Sequence, residues 1–136
     1  MPGASTHGQP AWPSDQLGRI ASAEELQLAS CGSDGTLRAY VTMWVVRAGN
    51  ELYVRSAGGP DRPWYRRATA SGTGRIRAGG LERDVTFAPV DDARAGDIDA
   101  AYRAKYHRYD PSIVGHVVGP SAHQATIRLV PRTAPN

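Results

Sequence analysis

The sequence predicts a mainly β, α+β fold: a small antiparallel barrel of five to six strands, with two to three short helices plugging its ends or gaps. Three observations predict it. Two pairs of β-rich runs face each other across tight turns at Gly49-Asn50 and Gly79-Gly80, the signature of hairpins. The clearest helical spacing comes late, where Ile98, Ala101, Tyr102 and Lys105 fall at i, i+3, i+4 and i+7. The whole chain is 136 residues, enough for one compact domain and too few for two.

Residues 1–16 hold Pro2, Pro10 and Pro13 among Gly and Ser without apolar periodicity, and are expected to form a mobile arm ahead of a single domain at 17–136. Ser22 and Glu25 match a capping box, which starts a short helix there. Leu26 and Leu28 also alternate with polar neighbours, so residues 26–31 read equally as a first strand. Residues 37–47 are rich in Val, Thr, Tyr and Trp without Pro or Gly and predict one long strand, paired through the Gly49-Asn50 turn with Leu52, Tyr53 and Val54. After the sharp loop at 57–60, Asp61 is placed to cap a helix carrying Trp64, Tyr65, Arg66 and Arg67, which Gly72 and Gly74 end. Residues 75–78 and 81–88 make the second hairpin, with Ile76, Val85 and Phe87 as core candidates. A helix capped by Asp97 then runs towards Asp110-Pro111, a loop holds His116 and His123, and residues 126–130 form a final strand closed by Pro131.

Composition narrows the function classes. Charged residues at 21% and hydrophobic residues at 40% are those of an ordinary soluble globular protein. The single Cys31 forms no internal disulfide, and no His/Cys cluster has metal-ligand spacing, so no metal site is expected. The excess of 16 Lys+Arg over 13 Asp+Glu is spread along the chain rather than gathered into a run with stacking aromatics, which argues against a nucleic-acid partner. No run approaches the roughly 20 apolar residues of a membrane span, and the start lacks the order of a signal peptide; a cytoplasmic location is the expectation. Asp91, Asp92, Asp97 and Asp99 read as a solvated acidic turn plus a helix cap rather than a calcium loop.

The run ELYVRSAGGPDRPWYRRA at residues 51–68, preceded by LRAYVTMWVVRAGN and followed by GRIRAGG and DVTFAPV, resembles the deazaflavin-dependent nitroreductases, which share the flavin-binding split β-barrel. The whole chain, including DIDAAYRAKY at 97–106, more closely resembles a bacterial family of unknown function, DUF2255, associated with the same split barrel. The resemblance implies FMN or F420 as cofactor. It implies a cofactor phosphate gripped by Arg38 and by the loop of Ser56, Gly58 and Gly59, and a ring or substrate wall formed by Thr42, Trp44 and Trp64. The pattern's loop lysine is Ala57 here, and its asparagine after the Trp-Tyr pair is Arg67, which can restore the lost positive charge. Tyr102, Tyr106 and Tyr109 with His107 either supply a general acid, Tyr106 and His107 being the candidates, or are packing residues with polar tips.

The function expected is therefore that of a small flavin- or deazaflavin-dependent oxidoreductase acting on a small organic molecule by hydride transfer, built as a homodimer. The alternative is a cofactor-independent enzyme of cyclase, isomerase or lyase type, or a small-molecule-binding protein, using the same cavity.

Overall fold

The computed structural model describes residues 11–132. Seven antiparallel strands form one sheet: β1 (Leu26–Ser30), β2 (Val41–Met43), β3 (Val46–Ala48), β4 (Glu51–Arg55), β5 (Thr73–Ala78), β6 (Leu81–Ala88) and β7 (Thr126–Pro131). Their order is β2-β1-β5-β6-β7-β4-β3. The helices are α1 (Ser14–Ser22), α2 (Pro63–Ser71), α3 (Ala95–Lys105) and two single turns, α4 (Pro111–Val114) and α5 (Pro120–His123).

The order itself demands a curled sheet. β2 and β3 are the two edges, yet only Trp44 and Val45 separate them along the chain. Three Cα steps reach about 11 Å at most, whereas the edges of a flat seven-stranded sheet lie about 29 Å apart. The sheet therefore bends round until its edges meet at Val45, which is the split β-barrel. The single long strand expected at 37–47 is thus two short ones, and the sheet has seven strands instead of the five to six expected. A β-rich run with no Pro or Gly carries no local sign of such a break.

The seam is closed by side chains rather than by strand pairing. Val45 is fully buried. Its N–H donates to the Tyr106 hydroxyl (3.2 Å), and its carbonyl accepts from Lys105 Nζ (2.7 Å). The same two side chains donate to the chain just ahead of β1: Tyr106 to the Glu24 carbonyl (2.8 Å) and Lys105 to the Ala23 carbonyl (2.6 Å). The last turn of α3 thereby satisfies backbone groups that no ladder partner reaches. Burial pushes the Tyr106 phenol far above its ordinary pKa and the Lys105 ammonium down to about 8, against the pull of the Glu24 charge.

Both expected hairpins form, with Ala48 opposite Glu51 and Ala78 opposite Leu81. Gly79 and Gly80 take φ of 58° and 79°, the left-handed conformation that a two-residue hairpin turn requires. Ile76, Val85 and Phe87 join the barrel core as expected, with Leu28, Leu52 and Leu129. A second cluster packs α3 onto β3 through Val46, Ile98, Tyr102 and Tyr106.

The ends of the elements depart more from expectation. Residues 1–10 of the expected arm lie outside the described residues, but its last part is packed: Trp12 is buried, and its indole N–H donates to the Leu129 carbonyl (2.9 Å). α1 then buries Leu17 and Ile20. Ser22 ends this helix instead of starting one, and residues 26–30 are strand. Pro63 opens α2 at a position where no N–H is needed, after Arg62 rather than a capping Asp61. α3 starts two residues before Asp97, and Asp99, expected in solvent, is buried. No helix among the described residues is long and apolar enough to cross a membrane.

Candidate functional site

A cavity of about 320 Å3 opens beside the seam, walled by Thr42 and Trp44, by Ala57 after β4, by Trp64 of α2 and by Ile113 and His116 beyond α3. The fold sets its aromatic walls firmly. Trp44 lies flat on Tyr106, with ring centroids 3.9 Å apart and planes 5° from parallel, so the residue that closes the seam also fixes this indole. Trp64 meets Tyr65 edge to face at 5.9 Å, and Tyr65 donates its hydroxyl to the Gln124 carbonyl (3.1 Å). Burial raises the Tyr65 pKa and keeps it a neutral donor.

The loop at 56–59 joins β4 to α2 and borders this slot through Ala57. Ser56 is fully buried; its N–H donates to the Ala125 carbonyl (3.0 Å) and its carbonyl accepts from the Gly59 N–H (3.1 Å). Its hydroxyl has no hydrogen-bond partner among the described residues, an uncommon state for a buried donor. Gly59 holds φ at 92°, and a Cβ on Gly58 would lie 2.0 Å from Nε of Arg62. The Arg62 guanidinium therefore rests on the bare backbone of the loop. The exposed glycine backbone at Gly58 and the adjacent cation form a donor set suited to a phosphate.

Behind the slot lies a buried charge network. The Arg55 guanidinium donates to Asp99, to Thr126 Oγ1 (2.9 Å) and to the carbonyls of Val117 (2.8 Å) and Ala95 (3.3 Å). Asp99 is also bonded by His123 Nε2 (2.9 Å). Burial acts to raise the Asp99 pKa, but the hydrogen bonds from Arg55 and His123 prevail and hold it below the usual carboxylate value. The network ties β4, α3, α5 and β7 together and so fixes the segment that carries His116.

The structure thus brings together Thr42, Trp44 and Trp64 on one cavity, with Ser56, Gly58 and Gly59 in the loop beside it. Arg38 and Arg67 share a different cavity. Tyr106 is buried in the seam, and His107 is exposed, with Nδ1 2.9 Å from the Ala104 carbonyl; neither lines the slot. Sequence reasoning missed Arg62, whose guanidinium lies against the backbone of the loop, and it missed the Arg55–Asp99 pair. Residues 44 apart in sequence left no local sign of pairing, whereas the Gly-Gly-x-x-Arg spacing was visible at Arg62. Among the described residues no group of three His, Cys, Asp or Glu is placed to hold a metal ion.

A curled seven-stranded antiparallel sheet, closed by α3 and walled by α2, is a split β-barrel. The chain belongs to the family described as uncharacterized protein conserved in bacteria (DUF2255), whose model matches residues 16–129. No curated protein matches the chain at a significant level. Solved structures share the fold. A putative pyridoxamine 5'-phosphate oxidase from Listeria innocua superposes with a TM-score of 0.62 at 16% identity, over 88% of this chain and 93% of that one. HutZ, the heme storage protein from Vibrio cholerae, gives 0.59 at 13% identity, over 89% and 90%. An F420 reductase gives 0.53 at 17% identity, over 86% and 92%.

Proposed function

We infer that this protein is a small oxidoreductase of the split-barrel class that binds FMN or F420 and acts on a small organic molecule by hydride transfer. The observation that carries the reading is the juxtaposition of an aromatic-walled slot with a glycine loop that holds a seated guanidinium. A neighbour of the same fold named as an F420 reductase supports it. At about 320 Å3 the slot lies near the lower end of the range for small-molecule sites, suited to a flat ring system with its tail leaving towards the loop.

When bound, the flavin or deazaflavin supplies the hydride chemistry. The chain's own residues bind and orient it. Trp44 and Trp64 exclude water from the ring, Thr42 offers a hydroxyl at the wall, and Arg62, with the exposed backbone of Gly58, receives a phosphate. Glu25 and His116 are the carboxylate and the imidazole on the slot wall that a substrate can meet, while the Arg55 guanidinium is held by its buried partners. Ile113, 47% exposed at the slot, is the large hydrophobic side chain left uncovered among the described residues, which favours a second copy of the chain packing there.

Filling the slot tests the reading. Ala57 is exposed on its wall, so Ala57→Trp leaves the core untouched. The wild-type protein should retain FMN or F420 on equilibrium dialysis, and Ala57→Trp should lose it while unfolding at the wild-type temperature. Equal retention by both proteins would place the cofactor elsewhere, and retention of neither cofactor by the wild type would refute the reading.

A further inference from the structure

Beyond the C-terminal half of α2 lies a second cavity, of about 680 Å3, which shares no lining residue with the slot. Arg38, Arg67 and Arg132 line it, with Cys31, Ser33 and Ser71 among their neighbours, and among the described residues neither a carboxylate nor an aromatic ring is in its wall. We propose that this cavity is a binding site for a small oligoanion carrying two or more negative charges, a diphosphate or a polycarboxylate, separate from the aromatic slot.

Most arginines that lie beside an acid in this protein are paired with it, whereas the three in this cavity are not. Arg55, Arg75, Arg77, Arg94, Arg108 and Arg128 each pair with an Asp or Glu. A groove of about 480 Å3 on the same face of the sheet edge as Thr42 shows the usual outcome: its Arg77 is neutralised by Glu82 at 2.6 Å. The side chains of Arg38, Arg67 and Arg132 have no hydrogen-bonded or ion-paired partner among the described residues. Asp34 is the carboxylate that feels Arg38, and only weakly: its oxygen is held by the hydroxyl (2.7 Å) and N–H (3.1 Å) of Thr36. The Ser71 hydroxyl is spent on the Thr73 carbonyl (2.9 Å), so the guanidiniums are the charged donors a ligand meets.

Arg38, Arg67 and Arg132 come from three separated parts of the chain and line one concavity, so an anion seated there meets three positive charges at once. Each guanidinium offers two parallel N–H groups to an oxyanion, and three of them outnumber what a single monoanion can use. The absence of an aromatic ring argues against a nucleic-acid strand, whose bases need a stacking surface. A concave space of this size suits a small molecule.

The test is isothermal titration of inorganic pyrophosphate into the full chain with no flavin added. Saturable 1:1 binding is expected, weakening as salt rises. Arg38→Ala/Arg67→Ala should bind about tenfold or more weakly, the Arg38→Lys/Arg67→Lys pair should fall between it and the wild type, and Arg103→Ala, exposed on α3, should match the wild type. The alanine pair should leave FMN or F420 binding unchanged. Absence of pyrophosphate binding, or equal binding by the alanine pair and the wild type, would overturn the proposal. So would a parallel loss of flavin affinity in that pair, which would make these arginines part of the slot. Because pyrophosphate is titrated alone, failure here leaves the flavin reading to its own test.

Discussion

Replacing Tyr106 with Phe removes one oxygen and keeps the ring that supports Trp44. The oxygen accepts from the N–H of Val45, which is fully buried, and donates to the Glu24 carbonyl. The Val45 carbonyl keeps Lys105, and Glu24 is partly exposed, so water can replace one lost partner. The Val45 N–H has no substitute. An unsatisfied buried amide costs about 1–3 kcal/mol, and for a chain of this size that lowers Tm by about 3–12 °C. Urea unfolding of Tyr106→Phe, followed by circular dichroism, should show this loss with an unchanged m-value. A Tyr106→Phe protein within about 0.5 kcal/mol of wild type would refute the seam argument, because that is the range of surface substitutions. If the hydroxyl were instead a catalytic acid, the substitution would abolish turnover and leave stability intact.

Other perturbations probe other parts of the structure. Asp99→Asn leaves the Arg55 guanidinium buried without its counter-charge and should cost about 3–5 kcal/mol in the same unfolding assay. Acid acts on the same group: Asp99 has a folded pKa below its unfolded one, so its stabilisation is present above about pH 4 and is lost as pH falls through the folded value. In alkali, Lys105 and the buried tyrosines oppose each other. Lys105, at about 8 when folded, makes stability rise with pH until its unfolded pKa near 10.5. Tyr102 and Tyr106, raised above their unfolded value by burial, make stability fall once pH passes about 10. A pH series of urea midpoints should therefore peak between about pH 9 and 10, and Lys105→Met should abolish the rise. Gly58→Ala places a methyl where the Arg62 guanidinium now sits; the flexible side chain moves aside, so stability should hold while flavin affinity falls about tenfold.

What the sequence revealed and what it hid follow from the range of the interactions. Both hairpins were legible because their turns need Gly or Asn, and turn chemistry is local. The break at Val45 was not, because nothing in Trp44-Val45 differs from an ordinary strand; the bend is imposed by sheet closure and secured by Tyr106, 61 residues away. Trp12 hid in a segment between prolines, since a single anchoring indole has no periodicity. The capping-box pattern at Ser22 and Glu25 misled because it is defined by four residues and cannot see the helix that precedes it. At the site, the wall of Thr42, Trp44 and Trp64 was reached through the family's motif order, and these three do meet on one cavity. Arg38 and Arg67 were placed beside the loop by the same motif order, but α2 carries Arg67 to the far cavity and turns Arg62 towards Gly58. Asp99, one of four acids near a turn, reads as solvent-facing until its distant partner Arg55 is seen.

Fluorescence quenching of FMN and of F420 by the purified chain, titrated against Trp64→Ala, tests the functional reading most directly. Saturable quenching of one of the two at micromolar protein, weakened about tenfold or more in the variant, is the result expected of an aromatic slot beside a phosphate loop. No quenching of either cofactor up to millimolar protein, or equal quenching by Trp64→Ala, would contradict it.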